Sequence, residues 1–329
     1  MSKISVIGDG GWGTALALVL HSNGHDVTIW GPFEENISKA RETLHNETFL
    51  PGIDIPADIK WTTSEREACE GVDGVVLAVP TKFYSDVLQR FAGLIDAAVD
   101  VVSVTKGLDR ETHQVMTEIA QKVLGVDSVA ALSGPSHAEE VARGIPTAVV
   151  IASKEREQAK RLQQVFSNSL FRVYTASDVK GVQLGGALKN VIAIAVGISD
   201  GLGFGDNTRA ALITRGLAEM TRLGIALDCR AETFSGLSGM GDLIVTCTSR
   251  HSRNRGVGER LGKGETLQQI MDSMQQVAEG VWNCGNAYAL GQNLDIELPI
   301  TATVYDILHN GLEPIKAVNG LMSRDVKPE

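Results

Sequence analysis

The stretch ISVIGDGGWGTALALVLHSNGHDVTIW, residues 4–30, decides the fold. A β-branched run leads into Gly8, Gly10 and Gly13, spaced as G-x-G-x-x-G, and then into a helical run and a second strand-like run. In such a strand–turn–helix the glycines allow a tight turn, close approach of a pyrophosphate and close packing of helix on strand. The helix N-terminus offers unpaired N–H groups to phosphates. The stretch predicts a βαβ unit that binds a dinucleotide.

Strand-like and helical runs alternate through the first half of the chain. A glycine motif alone is weak evidence, whereas one at the first turn of a long βαβ series is strong. The strand-like runs are apolar throughout, which indicates a parallel sheet covered by helices on both faces. We therefore predict an α/β doubly wound, Rossmann-type parallel sheet. Its strands are predicted at 4–7, 26–30, 74–79, 100–105, 128–132, 147–152 and 171–174.

The strand pattern stops after Tyr174, and helical periodicity follows it to the end of the chain. We predict a dinucleotide-binding domain over residues 1–185 and an all-α C-terminal domain, which carries substrate and catalytic residues, over 186–329. The predicted helices are 179–199, 207–223, 240–248, 254–262, 265–276, 280–293 and 301–309.

The amino-acid composition limits the kinds of partner that this chain is expected to bind. The 329 residues carry 30 Lys and Arg against 40 Asp and Glu, a formal charge of −10, so we expect no nucleic-acid partner. The longest apolar runs fall short of the roughly 20 residues that span a bilayer, and the N-terminus has no signal-peptide layout. We expect a cytoplasmic homodimer without integral membrane association. Four scattered cysteines and seven unclustered histidines predict reduced thiols and no metal.

The residues at the adenosine end of the predicted cofactor site do not decide between NAD and NADP. An acidic residue at the end of the second strand usually binds the ribose hydroxyls of NAD. Here Trp30, Gly31 and Pro32 stand at that place, while Glu34 and Glu35 come later and start the next helix. No arginine at this turn indicates a 2′-phosphate site either.

Lys189 is the only charged residue between Lys180 and Asp200 in an otherwise small and apolar helix. Small residues on its face, such as Gly185 and Gly197, predict a trough in which another group approaches the amine. Desolvation would lower the pKa of the ammonium towards the range that is useful for general acid–base chemistry. The alternative is a lysine whose stem packs while its head reaches water.

Other polar residues follow predicted strand ends, where doubly wound sheets bind ligands. Lys106 follows one strand, and Gly134 and Ser136 follow the next. Ser136 is also placed to cap the helix after it, and the two roles are compatible.

The stretch SGMGDLIVTCTSRHSRNRG places Asp242 and Thr246 on one helical face. Arg250, Arg253 and Arg255 follow within six positions, and guanidinium groups bind phosphate in a bidentate fashion. The alternative for Arg250 and Arg255 is a solvated charged stretch. Together with the dinucleotide motif and the two lysines, this cluster predicts hydride transfer between a nicotinamide and a small phosphorylated ketone or alcohol.

Five stretches resemble the signature blocks of the NAD(P)-dependent glycerol-3-phosphate dehydrogenase family in its bacterial biosynthetic form. The similarity runs from Ile4 to about Ile315. The blocks are GDGGWGTALA, VTKGL, SGPSHAEEVARGIPTA, GMGDLIVTCTSRHSRNRGVG and the long stretch from FRVYTASDVKGVQ to RGLAEM that contains Lys189.

The resemblance implies interconversion of dihydroxyacetone phosphate and sn-glycerol 3-phosphate, which feeds phospholipid synthesis. The family's proton acceptor falls on Lys189, which we expect to meet Asp242 and the substrate oxygen. Its substrate contacts fall on Lys106, Gly134, Ser136, Lys189, Asp242, Ser252, Arg253 and Asn254. Its cofactor contacts fall on Gly11, Trp12, Lys106, Ala138, Arg253, Val277 and Glu279, beside the motif glycines Gly8, Gly10 and Gly13. For Glu279 the alternative role is at the start of a helix.

Two residues depart from the family pattern. Gly11 stands where many relatives have serine, so only its backbone N–H can serve. Pro32 stands where many have histidine or arginine at the adenosine ribose or its phosphate, which affects the choice of cofactor and not the reaction.

Two rival functions stay open on the residues alone. A β-hydroxyacid or 6-phosphogluconate-type dehydrogenase shares this layout and a lysine on the long helix. A non-catalytic dinucleotide sensor would bind cofactor without turnover, but it gives no reason for two lysines and an arginine cluster.

Overall fold

A computed structural model describes residues 1–274 and 278–323 of the chain. The chain divides into two compact units. The first comprises Met1–Asp109 and Gln114–Gln183, and the second comprises Arg110–His113 and the chain from Leu184 onward. The domain ranges predicted above did not anticipate that the short segment Arg110–His113 groups with the second unit.

The first unit is built on an eight-stranded sheet in the order β10-β9-β8-β7-β6-β1-β2-β5, with β3 and β4 as a separate antiparallel pair. The predicted α/β doubly wound class is confirmed. Among the described residues, neighbouring strands of the large sheet run parallel except β8 and β9, so the all-parallel expectation was wrong at this pair. Strands β3, β4 and β5 were not predicted. The bounds are β1 Lys3–Ile7, β2 Asp26–Trp30, β3 His45–Asn46, β4 Leu50–Asp54, β5 Lys60–Thr62, β6 Gly74–Leu77, β7 Asp100–Ser103, β8 Val129–Ser133, β9 Thr147–Ala152 and β10 Phe171–Ala176.

Successive residues of the central strands pack into two different cores. In β1, Val6 belongs to one apolar cluster and Ile7 to the other; in β7, Val102 and Val101 divide in the same way. Because strand side chains alternate between faces, both faces of the sheet are buried, and the strands are apolar throughout. The helices of this unit are α1 Gly11–Ser22, α2 Glu34–Thr43, α3 Glu65–Cys69, α4 Tyr84–Gln89, α5 Met116–Leu124, α6 Ala138–Ala142 and α7 Arg156–Phe166.

The parallel direction of β1, β6, β7 and β8 brings the loops after these strands to one edge of the sheet. The glycine turn follows β1, Lys106 follows β7, and Gly134 follows β8. This is the edge at which doubly wound sheets bind their ligands.

The second unit is helical in its described part, as predicted. Helix α10, helix α16 and a π-helical turn at Leu237–Gly241 were not predicted. The predicted helix 265–276 is shorter, and its residues 275–276 lie outside the described range. The bounds are α8 Val179–Gly201, which begins in the first unit, α9 Asp206–Ala226, α10 Ala231–Phe234, α11 Asp242–Thr248, α12 Arg253–Gly262, α13 Leu267–Ser273, α14 Glu279–Asn293, α15 Pro299–His309 and α16 Pro314–Met322.

Helix α8 is long and apolar enough to cross a membrane by length and composition, contrary to the expectation from run length. Its apolar window is wholly buried within the protein, which is the situation of a core helix. No other helix in the described part of the chain meets the length and composition of a membrane span.

Candidate active site

The glycine-rich turn joins β1 to α1, and its three motif glycines are required for different reasons. Gly8 has φ +122°, and a Cβ there would lie 2.6 Å from the Ala78 carbonyl oxygen. A Cβ at Gly13 would collide with the Gly8 carbonyl. At Gly10, by contrast, a Cβ would meet no described protein atom within 4 Å. Protein packing therefore explains Gly8 and Gly13, and it does not explain Gly10.

Gly10 is also the N-cap of α1, and it has no side chain with which to satisfy the N–H groups of the first turn. A helix start of this kind binds phosphate through backbone N–H groups and the helix dipole. A side chain at Gly10 would fill the space beside that helix start. The turn thus fits the pyrophosphate of a nicotinamide dinucleotide.

Gly11, Trp12 and Ala138 lie close to this turn. A Cβ at Gly11 would lie 2.5 Å from the Phe49 carbonyl oxygen and 3.8 Å from the Ala138 Cβ. A serine at Gly11 would therefore require the hairpin connection at Phe49 to move, which explains the departure from the family pattern. Trp12 and Ala138 are partly buried against the core of the first unit, Ala138 as the first residue of α6.

Lys106, Gly134 and Ser136 form one hydrogen-bonded cluster. Lys106 Nζ donates to the Gly134 carbonyl at 2.9 Å and to Ser136 Oγ at 3.3 Å. Ser136 Oγ donates to the same carbonyl at 2.9 Å. Gly134 has φ +140°, and a Cβ there would lie 3.0 Å from Val149 Cα, so the loop needs glycine here.

The expectation that Ser136 caps the following helix was wrong. The N-cap of α6 is His137, and it makes no side-chain capping hydrogen bond. The Ser136 hydroxyl is instead engaged by the loop that follows β8 and by Lys106.

Lys189 is 6 % exposed at the centre of α8 and forms an ion pair with Asp242, which is 1 % exposed at the start of α11. Lys189 Nζ also donates to Thr246 Oγ1 at 2.7 Å, and that hydroxyl donates to the Asp242 carbonyl at 2.6 Å. Residues 242 and 246 share a helical face, so one turn of α11 presents a carboxylate and a hydroxyl to the amine. The predicted contact with Asp242 is present, and the alternative of a head that reaches water does not hold.

The predicted trough beside Lys189 is filled by protein. A Cβ at Gly185 would lie 2.5 Å from the Ser238 carbonyl in the π-helical turn. A Cβ at Gly197 or Gly201 would collide with the backbone of α12. The small residues of α8 therefore serve close helix packing at these positions, and the groups that approach the Lys189 amine are the Asp242 carboxylate and the Thr246 hydroxyl.

Ser252 and Asn254 fix the start of α12. Ser252 is its N-cap, and the Ser252 hydroxyl accepts from Arg255 N at 3.2 Å. Asn254 Nδ2 donates to Asn190 Oδ1 at 2.9 Å, and Asn254 Oδ1 accepts from Gly280 N at 2.9 Å. Asn254 thereby connects α8, α12 and α14. Asn190 was missed from sequence, although an amide next to the isolated lysine was a signal.

The three arginines of this region differ. Arg253 is the first residue of α12 and is exposed, as is Arg250. Arg255 pairs with Asp200, which also accepts from Arg209 at 2.9 Å. Arg255 is thus committed within the protein. Arg253 lies at a helix N-terminus, a position that favours anions.

Two further cofactor residues were predicted, Val277 and Glu279. Glu279 is its first residue, which matches the alternative role at a helix start. Val277 lies outside the described residues. Among the residues that are described, no group of three or more His, Cys, Asp and Glu side chains is arranged to hold a metal ion.

The G-x-G-x-x-G turn of the doubly wound sheet and the buried Lys–Asp pair of the helical unit are the features expected of a nicotinamide-dependent oxidoreductase. The family model for the N-terminus of NAD-dependent glycerol-3-phosphate dehydrogenase matches residues 3–159. The family model for its C-terminus matches residues 178–319. The chain belongs to this glycerol-3-phosphate dehydrogenase family, and the resemblance drawn from its sequence blocks is confirmed.

Full-length relatives support the same family. Over 332 residues the chain is 49% identical to a glycerol-3-phosphate dehydrogenase (NAD(P)+) of Geobacillus kaustophilus, with 100% of this chain and 96% of the relative covered. Over 328 residues it is 46% identical to the enzyme of that name from Shouchella clausii, with 98% and 96% covered. The crystal structure of glycerol-3-phosphate dehydrogenase from Coxiella burnetii matches with a TM-score of 0.94 and 40% identity, over 98% of this chain and 99% of that one.

Proposed function

We propose that Lys189 is the general acid and base with which this chain interconverts dihydroxyacetone phosphate and sn-glycerol 3-phosphate. The observation that carries the proposal is a buried ammonium, held by Asp242 and Thr246, in a helix that is otherwise apolar. A buried ion pair is weak evidence for stability, since apolar residues of similar size serve as well. A role in proton transfer would account for the buried Lys189–Asp242 pair.

Lys189 Nζ gives a proton to the ketone oxygen in the reducing direction and takes it from the hydroxyl in the oxidising direction. When bound, the nicotinamide supplies or accepts the hydride at the adjoining carbon. Asp242 and Thr246 hold the amine in one orientation, so little reorganisation accompanies proton transfer. A positioned acid of this kind accelerates a reaction by about 10²–10⁴-fold.

The proposed substrate contacts are those implied by the sequence resemblance. Arg253 at the N-terminus of α12 receives the phosphate, supported by Ser252 and Asn254. Lys106 lies at the ligand-binding edge of the sheet with its ammonium oriented by two oxygens, and it stabilises negative charge on the substrate. The full set of substrate residues is Lys106, Gly134, Ser136, Lys189, Asp242, Ser252, Arg253 and Asn254.

The dinucleotide is held by the glycine turn and its surroundings. The N–H groups at the start of α1 bind the pyrophosphate, and the absence of a side chain at Gly10 leaves room for it. The chain uses NAD or NADP. The proposed cofactor residues are Gly8, Gly10, Gly11, Trp12, Gly13, Lys106, Ala138, Arg253, Val277 and Glu279.

The cellular setting follows from the reaction. Glycerol 3-phosphate made by this chain supplies phospholipid synthesis. We place the enzyme in the cytoplasm, where its four buried cysteine thiols stay reduced, and assign it a homodimeric state. Residues 1–185 act as the dinucleotide-binding domain and residues 186–329 as the substrate and catalytic domain.

A steady-state assay on dihydroxyacetone phosphate with NADH and NADPH in parallel tests the proposal. Unphosphorylated dihydroxyacetone is the matched control, because it presents the same ketone without the group assigned to Arg253. We expect turnover of the phosphorylated ketone only. Turnover of a β-hydroxyacid or of 6-phosphogluconate in its place would favour the related dehydrogenase class. Cofactor binding without turnover of any of these compounds would indicate a sensor.

A further inference from the structure

The end of β2 lacks the acidic residue that reads the adenosine ribose in many NAD enzymes, since Trp30 is followed by Gly31 and Pro32. The structure nevertheless places a carboxylate there. A Cβ at Gly31 would lie 2.6 Å from Asp9 Cγ and 2.8 Å from Asp9 Oδ2. Asp9 itself lies between Gly8 and Gly10 in the glycine turn. Its side chain occupies the space that a side chain at the end of β2 would otherwise fill.

Asp9 is held in this position by several contacts. Its carbonyl accepts from Asn46 Nδ2 at 2.8 Å, which fixes the turn to the β3–β4 pair. Asn36, on α2, and the backbone of the turn act to lower the pKa of its carboxyl group. The residue is 8 % exposed, and burial raises the pKa of its carboxyl group. The carboxylate is therefore oriented and partly desolvated.

The surrounding charge at this edge is also negative. Glu34 and Glu35 form the first turn of α2, directly after Gly31–Phe33. Hydrogen bonds from Ser38 and Thr63 hold the pKa of Glu34 below its usual range, so it stays ionised. The guanidinium of Arg41, on the same helix, donates to the Trp61 carbonyl at 3.0 Å.

We propose that Asp9 supplies, from the glycine turn, the carboxylate that the end of β2 lacks, and that it selects NAD over NADP. This rests on the proposed function, since it concerns the adenosine half of the same cofactor. A carboxylate at this place accepts hydrogen bonds from ribose hydroxyls. It also repels the doubly charged 2′-phosphate of NADP. Repulsion between like charges at a binding site discriminates strongly against the wrong ligand.

The test is a binding experiment that needs no catalysis. NADH, NADPH and their fragments ADP-ribose and 2′-phospho-ADP-ribose are titrated into the unmodified chain and into Asp9→Asn, which has the same shape without the charge. We expect the unmodified chain to bind NADH at least about tenfold more tightly than NADPH. We expect Asp9→Asn to reduce that ratio by about tenfold or more, mainly through tighter NADPH binding, and the fragments to show the same shift.

Glu35→Gln is the matched control, because it removes one negative charge from the same edge without touching the glycine turn. Its ratio should stay within about twofold of normal, since exposed charges are screened. The ratio is measured within each variant, so a partly unfolded preparation does not alter it. Equal binding of NADH and NADPH by the unmodified chain, or an unchanged ratio in Asp9→Asn, overturns the proposal.

The failure of this inference is distinguishable from failure of the proposed function. Tight dinucleotide binding and turnover of dihydroxyacetone phosphate, with no preference against NADPH, would refute the role of Asp9 alone. If neither dinucleotide and neither fragment binds, the dinucleotide site is refuted, and both proposals with it.

Discussion

The ion pair between Lys189 and Asp242 makes a prediction that separates catalysis from stability. Lys189→Met removes the amine and leaves the Asp242 carboxylate buried without it. Breaking a buried pair in this way costs about 3–5 kcal/mol of unfolding free energy. For a unit of this size about 2–4 °C is lost per kcal/mol, so the melting temperature should fall by about 6–20 °C. Activity should fall by about 10²–10⁴-fold.

The double variant Lys189→Met/Asp242→Leu is the control. Apolar residues of similar volume replace a buried ion pair with little cost or with a gain, so the double variant should regain most of the lost melting temperature. It should regain none of the lost kcat, because the proton donor is still missing. Thermal unfolding followed by circular dichroism and steady-state kinetics on dihydroxyacetone phosphate give the two readouts.

Two results would refute this reasoning. A folded double variant with more than about a tenth of the normal kcat would show that Lys189 is not the acid, since such groups contribute far more. A Lys189→Met variant as stable as the double variant would show that leaving the Asp242 carboxylate without its partner carries no cost. Cofactor titration should be nearly normal in both variants, because the proposed pyrophosphate site at Gly10 and α1 is in the first unit.

Three further predictions follow from the site. Gly10→Val should fold, because its Cβ meets no described atom within 4 Å, yet lose NADH affinity by at least about tenfold; an unchanged Kd in a fluorescence titration would contradict this. Arg253→Ala should raise KM for dihydroxyacetone phosphate by about tenfold or more and leave the melting temperature normal. Arg250→Ala is the control. A KM of Arg253→Ala within about twofold of normal would place the phosphate site elsewhere. Burial raises the pKa of the Cys69 thiol to about 11 and that of Cys247 to about 12, so at about pH 8 both are neutral and should react with a thiol reagent only after unfolding. Rapid labelling of the native chain would count against the buried positions.

The sheet could be predicted from sequence because its signals are local. The long strands are apolar runs between helical runs, and the glycine turn has a fixed spacing. Strands β3, β4 and β5 were missed because they span 2, 5 and 3 residues, and β4 contains Pro51 and Gly52. The reversed direction of β9 was missed because a strand buried on both faces has the same apolar pattern in either direction.

The candidate site was less predictable because its contacts join distant parts of the chain. Lys106 and Ser136 were each found at a strand end, but their hydrogen bond replaces the helix cap that local sequence favours for Ser136. The pairing of Arg255 with Asp200 spans 55 positions. The filling of the trough beside Lys189 depends on where α12 packs, and composition alone does not distinguish a groove for a ligand from a groove for a helix.

The backbone contact between α8 and α12 has a consequence for how sequence variation in this enzyme is interpreted. A Cβ at Gly197 or Gly201 on α8 would collide with the backbone of α12, and a Cβ at Gly258 or Gly262 on α12 would collide with the backbone of α8. Each added methyl group would push apart the helix that carries Lys189 and the helix that begins with Arg253. In a saturation library scored for growth on this reaction, these glycines would therefore be as intolerant as Lys189, although they carry no functional group. Intolerance at such positions measures a spacing between two helices, and it should not be counted as evidence for a contact with substrate.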